Sequence, residues 1–167
     1  MNRPQTQEYP PSFSSYMLAV EGNVLDVLKE QYVAVPHFFG QLANKAQYAY
    51  APGKWTIAEL LLHLVDTERV MSYRLMCIAR GEQMDLPGFD ENAYATQARK
   101  GKQDYQRLCE QFAALRKSNI LLIEDLSTSE LDTCGTANAN RISVRALVFM
   151  LAGHVAHHIA VVKERYL

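Results

Sequence analysis

Four stretches of the chain carry apolar residues at steps of three and four, the spacing that keeps side chains on one face of a helix. The first runs from Asn23 to about Ala46, with Val24, Leu25, Val27, Leu28, Tyr32 and Val35 as its apolar face and Asn23 as a cap. Pro36 falls inside it and should bend or divide the helix, because proline has no amide hydrogen and crowds the preceding turn. The second stretch has the clearest start. Thr56 and Glu59 stand where each side chain can satisfy an unpaired amide of the first turn, and Gly81 supplies a stop after Arg80. The third spans roughly Gln103 to Leu126, with Tyr105, Leu108, Phe112, Leu115, Ile120 and Ile123 as apolar positions. The fourth follows Ser143 and continues nearly to Leu167 along a stripe of Val144, Leu147, Val148, Leu151, Val155, Ile159 and Val162. No segment alternates apolar and polar residues at period two, so strands are not expected.

The links between these stretches set the topology. Residues 1–22 have no period, but Tyr9, Phe13, Tyr16 and Met17 predict an arm lying on the body. YAPGKW is a Pro-Gly turn before the second helix, and STSELDTCGTANANR, before the fourth, is turn-rich and reads as exposed. The segment from Gly81 to about Gly101 is long and polar. A helix of about 24 residues is roughly 36 Å long, and this segment, extended at roughly 3.3 Å per residue, reaches further. The second and third helices can therefore run parallel through a crossover. The expectation is all-α: one domain over residues 1–167, a four-helix bundle with a long crossover between helices two and three.

Composition narrows the partners. Formal net charge is −1 with 21% charged residues interspersed, and no Lys/Arg cluster suggests nucleic acid or a membrane surface. The first residues lack the apolar stretch of a signal peptide, and Glu59, Asp66 and Arg69 interrupt the most apolar region, so no membrane span is expected. Cys77, Cys109 and Cys134 are odd in number and form no CxxC pair, which suits a reducing, cytoplasmic compartment.

The chemistry lies in the five histidines, His37, His63, His154, His157 and His158. His154 and His158 fall on the apolar stripe of the fourth helix one turn apart, so both imidazoles can chelate one ion. His157 lies to the side. His63 sits among Leu60, Leu62 and Leu64 in the second helix and can supply a third ligand if the two helices bring their levels together. A lone histidine on an apolar face is usually a core residue with its own hydrogen bond, which is the reading for His37. Three of them on core faces would each need a separate buried partner, and a metal satisfies them together. Two familiar motifs are absent. Val155 stands where a zincin has its catalytic Glu, and no Glu precedes a histidine by three positions as in di-iron bundles.

APGKWTIAELLLHLVDTERVMSYR, LPGFDENAY and ISVRALVFMLAGHVAHHIAVVKERYL together resemble the DinB/YfiT-like metalloenzymes of the DinB superfamily, and EGNVLDVLKEQ is similar to that family's first helix. The resemblance implies a four-helix bundle of up-down-down-up order and frequent homodimers. It also implies one divalent metal ion (nickel, zinc, iron or manganese) on His63, His154 and His158. Family members of known activity are mostly thiol-dependent transferases or isomerases. The expected function is a metal-dependent enzyme acting on a small molecule, either a thiol S-transferase using a low-molecular-weight thiol or a hydrolase. A non-catalytic metal-binding or stress protein is the alternative. Three neutral imidazoles leave an ion its full charge and an open position for water or a thiolate, so the ligands alone do not choose. Asp66 is a candidate to orient His63, or else a solvated carboxylate. Glu68 is expected to pair with Arg69 or a neighbouring helix. Arg69, Arg74, Arg141 and Arg145 are either anion-binding candidates or solvated surface residues.

Overall fold

The computed structural model describes residues 1–98 and 104–167. Its elements in chain order are α1 (Ser14–Leu18), α2 (Val24–Gly40), α3 (Ile57–Ala79), α4 (Glu91–Ala98), α5 (Tyr105–Glu124), α6 (Thr128–Asp132), β1 (Cys134–Ala137), β2 (Asn140–Ser143) and α7 (Val144–Arg165). The four long helices α2, α3, α5 and α7 are those of the hydrophobic pattern. Gln103, where the pattern starts the third, and the end of the crossover at 99–101 lie outside the described residues.

The caps form as their chemistry requires. The Asn23 side chain accepts the Leu25 amide at 3.0 Å, and Thr56 Oγ1 accepts the Glu59 amide at 3.2 Å while the Glu59 carboxylate accepts the Thr56 amide at 2.8 Å. Ser143 Oγ accepts the Ala146 amide at 3.0 Å. Gly81 takes a φ of +85°, the left-handed conformation that ends α3. Pro36 does not divide its helix. α2 runs through it to Gly40, and a 3-10 turn over Ala43–Lys45 replaces the rest of the expected first helix.

Two expectations need correction. The turn-rich segment before α7 is a β-hairpin, β1 pairing antiparallel with β2 from Cys134↔Ser143 to Ala137↔Asn140. Strands of four residues are too short to show alternation. The turn residues Asn138 and Ala139 both have positive φ, 51° and 58°, a geometry that Asn-Gly would have advertised and Asn-Ala conceals. Leu86 bridges to this hairpin, its amide donating to Thr136 O at 3.0 Å and its carbonyl accepting from the Asn138 amide at 2.8 Å. The second correction concerns α7, which is long and apolar enough to cross a membrane by length and composition alone. Its charges sit at its ends, Arg145 and Lys163–Arg165, rather than within. Here it is a packed core helix, with Ala146–Val155 all buried.

Hydrogen bonds show which helix ends meet. The Tyr105 hydroxyl, at the start of α5, donates to Phe39 O near the end of α2 at 2.8 Å, while Lys29 near the start of α2 pairs with Glu124 at the end of α5. Tyr166, just past α7, donates to Trp55 O just before α3 at 2.8 Å. One apolar cluster joins Phe39, Leu60, Leu64, Leu108, Phe112 and Val162; a second joins Leu28, Leu75, Ile78, Ile123, Leu147 and Leu151.

Arg116 lies in the middle of the bundle, 0% exposed. It donates from Nε and Nη2 to the two carboxylate oxygens of Glu68 at 2.7 and 2.8 Å, from Nη1 to Gln31 Oε1 at 2.5 Å, and from Nη2 to Leu151 O at 3.0 Å. Asn119 donates to Glu68 at 2.8 Å and Gln31 to Ala152 O at 2.9 Å, so one polar network ties together all four long helices.

The arm lies on the body as the aromatic content predicts. Met17 and Val20 are buried, and Arg3 donates to the carbonyls of both at 2.5 and 2.6 Å. Contact with α7 is backbone to backbone: a Cβ on Gly153 would stand 1.9 Å from Tyr16 O, so only glycine permits the approach. The residue after that glycine is His154.

Candidate metal centre

His63 projects from the second turn of α3, and His154 and His158 project one turn apart from α7. The structure brings the three together. His63 Nε2 and His158 Nε2 each lie 3.0 Å from His154 Nε2, and the three ligand atoms fall within 4.8 Å of one another. Among the described residues, no Cys, Asp or Glu joins this cluster.

These contacts cannot all be ordinary hydrogen bonds. In a neutral imidazole a given nitrogen is either one donor or one acceptor, so His154 Nε2 can make one well-directed bond, yet it faces two partners. Nor are the rings charged. Burial pushes His63 down to about 4 and His158 down to about 3, and His154 is held well below the usual histidine range by its burial and then by the neighbouring histidines. Two nitrogens, each about 2.0 Å from one ion at an angle of roughly 90–110°, stand about 3 Å apart, which is the spacing of both pairs that include His154. The donor set and its geometry fit a divalent cation.

Aromatic rings fix the imidazoles. Trp55 packs on His63 with ring centroids 4.8 Å apart, and Tyr16 from the arm meets His154 edge-on at 5.6 Å. Above the cluster opens a cavity of about 370 Å³. Thr67, Met71 and Arg74 continue the His63 face of α3 along its floor, and Met150 continues the His154 face of α7. Phe13, Phe89, Glu91 and Asn138 form much of the rim.

The DinB superfamily model matches residues 28–162, which take in α3 and α5, most of α2 and α7, and all three histidines. The chain belongs to the DinB superfamily. A protein of Oceanobacillus iheyensis, provisionally named a metal-dependent hydrolase, is 28% identical over 115 residues. That match covers 68% of this chain and 66% of the relative, just under two thirds of the relative's length. Among solved structures, the fold is similar to that of YfiT from Bacillus subtilis, with a TM-score of 0.70 at 19% identity over 84% of this chain and 82% of that one. That protein is described as "a probable metal-dependent hydrolase with an unusual four-helix bundle topology"; at this identity the likeness shows the fold, a four-helix bundle.

The other candidates in this DinB chain separate cleanly. His37 is exposed beside Gln41, its Nε2 3.1 Å from the amide nitrogen, and His157 is exposed on the flank of α7 against Tyr16. Asp66 pairs with Arg69 at 3.2 Å, whereas Thr67 Oγ1 is the group near His63 Nδ1, at 3.5 Å. Glu68 pairs with a neighbouring helix through Arg116 and not with Arg69. Sequence reasoning missed Trp55, Tyr16 and the Arg116 network. A signal for the network existed: Arg116 and Asn119 stand at core spacing between Phe112 and Ile123, where two polar residues imply a buried partner.

Proposed function

We propose that His63, His154 and His158 bind one divalent metal ion, and that the protein is a metal-dependent enzyme acting on a small molecule in the cleft above them. The convergence of three uncharged imidazoles, with His63 Nε2 and His158 Nε2 each 3.0 Å from His154 Nε2, carries this reading. An ion there supplies Lewis acidity and acidifies a coordinated water or thiol. The chain's own residues do the rest. Burial keeps the imidazoles neutral with their lone pairs free, Trp55 and Tyr16 hold the ring planes, and Thr67 stands by His63 Nδ1 to fix its tautomer. With three protein ligands and an open cleft, a coordination position remains for a reactant, which favours an enzyme over a purely structural site.

Hydrolysis has the support of the relatives' names. Thiol transfer is the second reading, favoured by a further cavity of about 320 Å³ on the other side of His158, lined by Tyr50, Trp55 and Tyr166, with room for a co-substrate. We further propose the up-down-down-up helix order. The meeting of the starts of α3 and α5 in one cluster with the ends of α2 and α7 supports it. A homodimer and a cytoplasmic location complete the reading, and sedimentation equilibrium giving a monomer at micromolar concentration would remove the first.

The test is metal analysis of the purified protein, followed by turnover assays with the matching ion on ester and amide substrates, with and without a panel of thiols. Stoichiometric metal that disappears in His63→Ala, His154→Ala and His158→Ala is the expected result. Parent protein that binds no divalent ion in titration would overturn the function.

A further inference from the structure

Arg74 differs from the other arginines considered for anion binding in being buried with no carboxylate of the described residues on its guanidinium. The buried Nε of Arg145 is also unpaired, but both its Nη atoms reach carboxylates. Arg69 is held by Asp66 and Gln111, Arg141 by Gln7 O, and Arg145 by Glu8 and Asp132. Arg74 is only 6% exposed, yet among the described residues its one oxygen acceptor is Pro87 O at 2.7 Å. Nη1 has only the thioether of Met71, at 3.8 Å, and the buried Nε has no partner. A guanidinium carries five N–H donors. Burying one so poorly satisfied is costly unless an acceptor completes it. Asp85 and Glu91 lie close enough to oppose the lowering of its pKa by burial, but neither bonds to it; Asp85 instead accepts the Ala139 amide at 3.2 Å.

The position is as informative as the orphaned donor. Arg74 lines the cavity above the histidines and a smaller void of about 110 Å³ between the arm and the hairpin. It stands eleven residues, or about three turns, beyond His63 on the same face of α3, an axial separation of about 16 Å. Side chains on a helix lean toward its N-terminus, and the contact with Met71 shows Arg74 doing so; His63 leans the same way, so only the greater length of the arginine brings its guanidinium nearer the imidazoles than the axial separation. Met71 and Met150 floor the interval.

We propose that Arg74 recognises the oxyanion of the substrate, which is a small molecule with a carboxylate or phosphate at one end and its reacting group at the other. The inference rests on the metal-site reading for the second half only; the anion site stands or falls by itself. Binding would place the oxyanion against Nε and Nη1, lay the apolar middle across the two methionines and bring the far end to the histidines.

The test is isothermal titration of the full-length protein with pentanesulfonate, a weak metal ligand, against the neutral pentyl methyl sulfone of similar size. One charge-assisted contact predicts that the sulfonate binds about tenfold or more tightly than the sulfone, with an advantage that shrinks at high salt. Arg74→Gln should erase that advantage; Arg74→Lys should keep part of it with weaker binding, because an ammonium cannot offer the planar pair of donors. Equal binding of the two probes by the parent overturns the proposal whether or not any variant folds, and so does an undiminished advantage in Arg74→Gln. Retained sulfonate preference in a protein that binds no metal would uphold the anion site while removing the proposed function.

Discussion

Two arginines are buried among the described residues, and their surroundings are opposite. Arg116, at the level where α2, α3, α5 and α7 all meet, has an oxygen for nearly every donor it offers: two from Glu68, one from Gln31, one from Leu151. Arg74, farther along α3 and facing the cleft, has one. The histidine segment of α7 divides the same way, with the backbone carbonyls of Leu151 and Ala152 tied into the network and the His154 and His158 nitrogens meeting His63 in the cleft. Satisfied polar groups in a low-dielectric interior fix a structure, and unsatisfied ones at a cavity wall await a ligand. The chain thus keeps its structural polar groups inside the bundle and its ligand-seeking ones on the wall of the cleft.

The largest effect should come from breaking the satisfied side. Arg116→Met leaves the Glu68 carboxylate, 2% exposed, without its counter-charge, and the expected loss is about 3–5 kcal/mol in urea unfolding. Adding Glu68→Leu to that variant should restore much of the loss, because a hydrophobic pair of similar volume does not carry the desolvation penalty. A double variant no more stable than the single would mean that Glu68 is held chiefly by Asn119, and the contrast between the two sides would weaken.

On the ligand-seeking side, stability should depend on what is bound. Divalent metal at a thousandfold above its dissociation constant should stabilise the parent by about 4 kcal/mol. His63→Ala, His154→Ala and His158→Ala should each lose most of that, whereas His37→Ala and His157→Ala keep it; equal thermal shifts in all five would remove the site. Without metal, acid should act through the same rings. Their pKa values are depressed in the folded state, His63 to about 4 and His158 to about 3, against the ordinary 6.5. As pH falls below 6.5 the unfolded chain takes up protons that the folded chain refuses, so these groups' contribution, complete above that pH, declines down to about 3–4. A metal-free unfolding free energy that is flat between pH 6.5 and 4.5 would contradict the depressed values. Metal competes with protons for the same nitrogens, so its affinity for the folded chain should hold until the pH approaches the depressed values of about 4 and 3 and weaken below them.

The arm closes the cleft side through one close approach, and a smaller effect is expected there. Gly153→Ala puts a methyl group 1.9 Å from Tyr16 O, which requires the arm or α7 to move. A loss of about 1–3 kcal/mol is expected, in line with overpacking elsewhere. Tyr16 should leave His154 with it, read as faster proteolysis within residues 1–22 and faster metal release. An arm that keeps its protection would show that the contact is slack.

The same division explains what the sequence made legible. Thr56, Ser143, Asn23 and Gly81 mark the long helices because capping is local chemistry between residues two to four apart. His154 and His158 were readable as a pair for the same reason, one turn on one helix. Their meeting with His63 depends on the register between α3 and α7, which no single segment encodes and which Gly153 and the Trp55–Tyr166 contact help to set. The hairpin escaped because its strands are four residues long and Ala139 occupies a left-handed position without the glycine that signals one. Arg74 and Arg116 look alike in sequence, each within a helix that carries apolar neighbours. Asn119, one turn from Arg116 on the same face, is the one local sign of a buried partner, and the packing shows that the partner is the Glu68 carboxylate.

The smallest expected change in stability tests that last distinction. Arg74→Met removes the hydrogen bond to Pro87 O, with a net worth of about 0.5–1.5 kcal/mol, and also removes a guanidinium whose buried Nε is unpaired, a penalty of about 1–3 kcal/mol. The two nearly cancel, and methionine adds apolar volume beside Met71 and Met150. Unfolding in urea should therefore shift by no more than about 1 kcal/mol, toward greater stability, while sulfonate binding is lost. The same substitution at Arg116 has the opposite sign and several times the size, because there the charge has partners to abandon. A loss of 3 kcal/mol or more at Arg74 would mean that Asp85 or Glu91 is already its counter-ion in solution, and that the cleft keeps its arginine for the fold rather than for a ligand.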